Sequence, residues 1–199
     1  IMFYSKEKIE KTVKAKGYAW FENGDFNLNI VGVRNSNTGN KVSNLFDDIL
    51  TLSYKIGEVW QYNEWTITTD PGKKAVLEFH NPNGVARVVP GQYRGSHQIG
   101  LHQGKYEALK QKGNIKVYRD KNKDMQFDTN TIEEGSAFGI NIHHSSFDGT
   151  STYVENWSEG CQVFANINSF NTFMDIVRKA EKIHGNSFTY TLLESKDLL

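Results

Sequence analysis

Short apolar segments that alternate with period two, separated by turns, constrain this fold more than any other feature. The segments are residues 26–33, 49–54, 59–62, 65–69, 75–79, 85–89 and 115–118. Such alternation predicts strands with one buried face. Proline, asparagine and glycine form turn signals at 70–72 and 81–84. We therefore expect a mostly antiparallel β core between about residues 18 and 118.

Two segments with helical periodicity flank this core. Ser5 is the expected N-cap of the first helix and Gly17 its expected end. The second helix is predicted after residues 166–168 and closes at Gly185. Its apolar face comprises Phe170, Phe173, Met174, Val177, Ala180 and Ile183. Residues 106–110 predict at most a short helical turn, and 187–193 a last strand. The predicted fold class is α+β.

Charge and apolar content argue against several functional classes. The 199 residues contain 23 basic and 23 acidic side chains, so the net charge is zero. A chain without excess positive charge is not expected to attract nucleic acid. The apolar runs are much shorter than the roughly 20 residues of a membrane-spanning helix, so no membrane insertion is expected. The single cysteine, Cys161, excludes an internal disulfide framework. No secretion signal is recognisable, because helix-like sequence begins at Ser5.

The thiol lies in a segment suited to nucleophilic catalysis. Cys161 follows Ser-Glu-Gly at 158–160, and a strand-like run at 138–142 leads into His143 and His144. A thiol nucleophile needs a base that removes its proton and N–H donors that hold an oxyanion. Two interpretations remain open here. Either His143 ionises Cys161, or the cysteine is buried and structural while the histidines lie at the surface.

The segment from 142 to 161 resembles the signature of L,D-transpeptidase catalytic domains of the YkuD type. That signature is a histidine, a spacer, and then Ser/Thr-His-Gly-Cys. Residues 89–93 are similar to the family's Pro-x-Gly-x-Phe/Tyr segment, and 166–170 to its polar turn into a helix. Two positions depart from the family pattern. Glu159 stands where the family has histidine, and Val163 where it has asparagine or arginine.

The resemblance implies a particular fold for a single domain of residues 1–199. Residues 59–199 would form an L,D-transpeptidase-like β-sandwich, with the C-terminal helix following the catalytic loop. Residues 1–58 would add an N-terminal helix and a β extension.

The resemblance also implies an activity, a cysteine acyl transfer on peptidoglycan stem peptides that requires no cofactor. Cys161 would attack the carbonyl of a diamino acid next to a D-amino acid and form a thioester. His143 would accept the thiol proton, oriented by the backbone carbonyl of His144. An amine acceptor would give a cross-link, whereas water would give a carboxypeptidase or endopeptidase. The departures favour hydrolysis. Since the substrate is the wall polymer, we expect action in the periplasm or cell wall, or by a secreted or phage protein.

Further residues are assigned to the oxyanion and the substrate by the same resemblance. They are Gly160, Ser158, Gln162, Tyr93 and Arg94. The arginine suits bidentate pairing with a carboxylate, although a surface ion pair is an equal alternative. Glu159 is interpreted either as a solvated loop residue or as a group that orients His143 or binds a substrate amine.

The histidines permit a zinc alternative, a zinc-dependent peptidoglycan peptidase. The candidate ligands are His80, His97, His102, His143 and His144. A catalytic zinc needs three protein ligands around an open position. The five-residue spacing of His97 and His102 suits neither one helix face nor one strand face. A non-catalytic wall-binding or virion structural domain is the third hypothesis.

An acidic segment resembles a calcium loop. Asp120, Asn122, Asp124 and Asp128 occupy loop positions 1, 3, 5 and 9. Met125 replaces the usual glycine at position 6. Two interpretations remain open, a structural calcium site or an acidic turn that joins two strands.

Overall fold

A computed structural model describes residues 2–199, and most of its regular structure is strand. The strands are β1 (Asn29–Arg34), β2 (Asp48–Ile56), β3 (Val59–Thr68), β4 (Val85–Val88), β5 (Gly91–His102), β6 (Tyr106–Gln111), β7 (Ile115–Asp120), β8 (Ile132–Gly135), β9 (Ile142–His144), β10 (Gln162–Phe164) and β11 (Phe188–Glu194). The helices are α1 (Lys6–Ala15), α2 (Lys73–Leu77) and α3 (Ile167–His184). The predicted α+β class is confirmed.

Eight strands form a closed barrel in the order β1-β11-β5-β6-β9-β10-β3-β2, and β4, β7 and β8 form a separate sheet. The pairs β1–β11 and β9–β10 are parallel, while the other pairs are antiparallel. The main sheet is therefore a barrel rather than the β-sandwich that the resemblance implies. It closes because β1 pairs on one side with β2 and on the other with β11, which leaves no free edge. Both β1 and β2 come from residues 1–58.

The capping residues place both long helices as the sequence predicts. The Ser5 hydroxyl accepts the N–H of Lys8 at 3.1 Å, and the Asn166 side chain accepts the N–H of Ser169 at 3.0 Å. The predicted face of α3 is buried except for Ile183, which is exposed. No helix within residues 2–199 is long and apolar enough to cross a membrane.

Two local predictions are wrong, and they exchange helix for strand. Residues 75–79 were expected to form a strand, but most of them belong to α2, whose Ala75 and Val76 pack against a small apolar cluster. Residues 106–110 form most of β6 instead of a helical turn. A tight turn pairs β6 with β5, since Gln103 and Gly104 have positive φ and the Lys105 N–H donates to the His102 carbonyl at 2.9 Å.

A buried ion cluster joins the barrel to the small sheet. Asp70 Oδ1 lies 3.0 Å from Arg34 Nε and 2.8 Å from Arg87 Nε, and all three side chains are buried. Arg34, the last residue of β1, also donates to the carbonyls of Val88 and Thr69 at 2.7 and 3.0 Å. These bonds fix β4 against the barrel.

Removing the shared carboxylate should destabilise the protein strongly. We expect Asp70→Ala to lower the free energy of unfolding by about 3–5 kcal/mol, because two buried guanidinium groups lose their counter-ion. The exposed pair of Glu107 and Arg178 provides a matched control. Glu107→Ala should cost less than about 1 kcal/mol. Urea unfolding of both variants measures the difference, and equal losses would contradict this account.

Candidate functional site

An open groove of about 500 Å³ holds the thiol together with several histidines. Cys161, His143 and His144 line it, and His102 and Tyr106 contribute from the β5–β6 hairpin. The barrel topology explains the arrangement. β9 and β10 are parallel neighbours, in which His143 is opposite Val163. Cys161 immediately precedes β10, so its thiol and the imidazole of His143 reach the same part of the barrel rim.

His143 presents an unprotonated nitrogen to the groove. Its Nδ1 lies 2.8 Å from the backbone carbonyl of His144, which can only accept a hydrogen bond. The ring proton therefore sits on Nδ1, and Nε2 is left as a base. Burial, with a contribution from His102, lowers the pKa of His143 to about 3. The imidazole is thus neutral across the physiological range.

The His102 ring stacks on His143 with a centroid distance of 4.0 Å and an interplanar angle of 16°. Asn141 sets its tautomer. The Asn141 side-chain oxygen accepts the Gln111 N–H at 3.0 Å, so its amide nitrogen faces His102 Nδ1, also at 3.0 Å. Nδ1 is consequently an acceptor, and Nε2 carries the proton. Burial lowers the pKa of His102 to about 4.

His144 contributes its backbone to this arrangement, while its ring belongs to an aromatic cluster. The ring stacks on Tyr106 at 4.3 Å and meets Phe147 edge-on at 4.8 Å. Its Nδ1 lies 3.0 Å from the Ser145 carbonyl. These contacts hold the carbonyl that orients His143.

The Cys161 thiol makes its hydrogen bonds to the backbone of residues 139–141. The thiol donates to the Gly139 carbonyl at 3.2 Å and accepts the Asn141 N–H at 3.4 Å. No hydrogen bond links Sγ to His143 within residues 2–199. Burial, together with the charge of Glu159, raises the pKa of Cys161 to about 11. The groove therefore holds a neutral thiol and a neutral imidazole at rest, rather than the ionised pair that the first of the two interpretations requires.

Residues 158–160, the loop before the thiol, are held by hydrogen bonds within the loop and by one hydrogen bond from β4. The Ser158 hydroxyl donates to the Cys161 carbonyl at 2.8 Å and accepts the Gly160 N–H at 3.1 Å. The Ala86 N–H donates to the Glu159 carbonyl at 2.9 Å. The Gly160 N–H is thus engaged, while the Cys161 N–H has no acceptor within residues 2–199. Ser158 supports the loop, and the Cys161 N–H is the donor left for an oxyanion.

Three of the residues assigned to substrate lie away from the groove. Gln162 is buried, where its side chain accepts from the Tyr190 hydroxyl at 2.6 Å and donates to the Gly160 carbonyl at 3.1 Å. The Tyr93 hydroxyl donates to the Val89 carbonyl. Arg94 is exposed and lies over the Phe21 ring. On β5, Arg94 precedes His102 by eight residues, about 26 Å of extended chain. The far end of β5, at His102, reaches the groove instead.

The structure does not assemble the histidines around a metal. His97 is buried, with Nδ1 2.8 Å from the Ser96 hydroxyl and Nε2 2.8 Å from the Ile140 carbonyl. His80 is exposed, and its Nδ1 lies 2.5 Å from Glu159 Oε1. Within residues 2–199, no three His, Cys, Asp or Glu side chains are grouped so that they could hold a metal ion.

The acidic loop at 120–128 is organised by its own hydrogen bonds. Asp120 accepts the Asp128 N–H at 2.9 Å, and the Asn122 amide donates to Asp128 at 2.7 Å. Asp124 accepts the Gln126 N–H at 3.0 Å. The loop connects β7 to β8 in the small sheet. Calcium binding there stays a prediction.

No family model, curated protein or solved structure matches this chain. The function is therefore inferred from the chemistry of the groove. The role of Asn141 was not predicted from the sequence, which indicated His102 only as a zinc ligand. One signal was present, because Asn141 precedes His143 by two residues and period two places both on one face.

Replacing Gly160 should disturb the loop more than an ordinary glycine substitution would. Gly160 has φ +148°, and a Cβ there would lie 2.7 Å from the Ala86 carbonyl oxygen. Gly149 also has positive φ, +63°, but its added Cβ meets nothing within 4 Å. We expect Gly149→Ala to cost about 1–2 kcal/mol and Gly160→Ala to cost more. Urea unfolding compares them, and equal costs would contradict the docking contact.

The raised thiol pKa predicts slow alkylation at neutral pH. Iodoacetamide reacts with the thiolate. As long as the pH is below the pKa, the thiolate fraction rises about tenfold for each unit of increase in pH. Modification of Cys161 should therefore accelerate steadily from pH 7 to pH 10, and His143→Ala should leave this profile unchanged. Mass spectrometry of timed samples measures the rate. A plateau below pH 8 would indicate an ion pair instead.

Proposed function

We propose that this protein is a cysteine-dependent acyl transferase or hydrolase that acts on peptidoglycan stem peptides. One observation carries the proposal: His143 and Cys161 share a groove, with Nε2 of the imidazole unprotonated and free of protein partners. The Cys161 N–H, also unengaged, adds a donor for an oxyanion. Nucleophile, base and oxyanion donor are the parts that thiol acyl transfer requires.

The neutral resting pair determines the order of the proton transfer. As Sγ attacks the peptide carbonyl, the S–C bond forms and the thiol proton passes to His143 Nε2. The C–N bond then breaks, and the departing amine takes that proton. Water or an acceptor amine then attacks the thioester carbonyl, while His143 Nε2 takes its proton. The S–C bond breaks, and that proton passes to Sγ, which restores the thiol and the neutral imidazole. The thiol must leave the Gly139 carbonyl before it attacks.

The substrate class rests on the resemblance around residues 142–161. That segment is similar to enzymes that act on a diamino acid next to a D-amino acid in stem peptides. A polymeric wall substrate requires action outside the cytoplasm. Glu159 lies in the groove, where the family has histidine, which supports a reaction that differs from the family's cross-linking. Hydrolysis is the outcome that we favour.

Digestion of purified peptidoglycan tests the proposal. We expect cleavage of L,D bonds or new cross-links, identified by mass spectrometry. Cys161→Ala should abolish turnover, because no other thiol is present. His143→Ala should lower kcat by about 10²–10⁴, the usual contribution of a general base. His184→Gln serves as the matched control, since His184 is exposed on α3 and does not line the groove.

Other outcomes would favour the remaining hypotheses. Turnover that survives Cys161→Ala but is lost with a chelator would indicate a zinc peptidase. Binding to sacculi without turnover, and without a covalent adduct on Cys161, would indicate a structural wall-binding or virion module. Either result would overturn the thioester mechanism.

A further inference from the structure

The β5–β6 hairpin brings two nitrogen donors to the groove. His102 ends β5, and Lys105 follows three residues later in the turn. The Lys105 N–H donates to the His102 carbonyl at 2.9 Å, which fixes the backbone of the two residues relative to each other. Both residues line the groove that contains Cys161.

His102 Nε2 carries an N–H that no protein atom within residues 2–199 accepts. The residue is 7% exposed, and its Nδ1 is occupied by the Asn141 amide. The enclosed polar side-chain atoms without a partner are Trp20 Nε1 and Ser53 Oγ, and His102 Nε2 is not among them. Nε2 is therefore not fully enclosed, and since His102 lines the groove, its N–H is an unused donor there.

The lining of the groove includes one lysine, Lys105, and one carboxylate, that of Glu159. Besides His144, the groups whose charge acts on His102 are Lys105 and Lys110, and both are positive. The charge that acts on Cys161 is the negative one of Glu159, which lies 2.5 Å from His80. On the hairpin side, the nearby carboxylate of Glu107 is engaged by Arg178 at 2.9 Å. The hairpin side therefore favours an anionic group.

We propose that His102 Nε2–H and the Lys105 ammonium form a subsite for a free carboxylate of the peptide substrate. This inference rests on the proposed function and narrows its substrate class. A carboxylate accepts hydrogen bonds through two oxygens and is attracted by the ammonium charge, whereas an internal amide accepts through one oxygen and carries no net charge. The groove consequently selects a peptide end. Turnover then removes or replaces a terminal residue, as in a carboxypeptidase, rather than cutting within a cross-linked chain.

Two synthetic stem peptides test the subsite. Both end in a diamino acid followed by a D-amino acid, one with a free C-terminal carboxylate and the other with a C-terminal carboxamide. We expect wild-type kcat/KM for the acid to exceed that for the amide about ten- to a hundredfold, the effect of one charge-assisted hydrogen bond. Equal values would overturn the subsite.

Variants identify the donors. Lys105→Met should remove the preference for the acid, while Lys105→Arg should retain it. Lys116→Met is the matched control, because Lys116 is exposed on β7 and does not line the groove. His102→Phe keeps an aromatic ring against His143 and removes the N–H, so it should reduce the preference for the acid. Equal effects of Lys105→Met and Lys116→Met would also overturn the proposal.

A second measurement separates failure of the subsite from failure of the proposed function. Each peptide is tested for protection of Cys161 against iodoacetamide at pH 9. Protection by the acid alone, without turnover, would support the subsite and contradict the acyl-transfer function. Turnover of both peptides at equal rates would support the function and overturn the subsite. Neither protection nor turnover would overturn both.

Discussion

The position of the thiol depends on the buried contact of Asp70 with Arg34 and Arg87. This contact ties β4 to the end of β1, and β4 is the surface on which the loop before Cys161 docks. Ala86, which receives that loop, is the neighbour of Arg87 in sequence. A charge cluster outside the groove thus helps to set where the thiol lies. Because the cluster is buried, both arginines need the shared carboxylate.

Burial also determines the protonation of the groove. It disfavours the charged form of each group, so it raises the pKa of Cys161 and lowers those of His102 and His143. Cys161, His102 and His143 are therefore all uncharged at neutral pH. What it fixes in advance is the tautomer of each imidazole, through one backbone carbonyl and one asparagine amide. As a result, His143 has an unprotonated Nε2 and His102 has a protonated Nε2. Both residues line the same groove.

The sequence predicted elements whose signals are local. Ser5 and Gly185 were predicted to bound the long helices, and they do so because caps act within one turn. Barrel closure was missed, since it depends on pairing between β1 and β11, which lie far apart in sequence. Helix and strand were exchanged at 75–79 and 106–110, because short apolar runs fit both periods. The sequence indicated His143 and Cys161 as site residues but gave no sign that the β5–β6 hairpin contributes to the groove. The hairpin reaches the groove only at the far end of β5, at His102.

His143 lies on β9 and Cys161 immediately precedes β10. These are adjacent parallel strands of three residues each, and residues 145–161 connect them. A parallel pair cannot be joined by a tight hairpin, so a long crossover is obligatory. Here part of that crossover forms the wall of the groove, with Phe147 and Trp157 partly exposed on it. The composition of this groove wall is thus separate from the strand pairing that places His143 and Cys161 near each other.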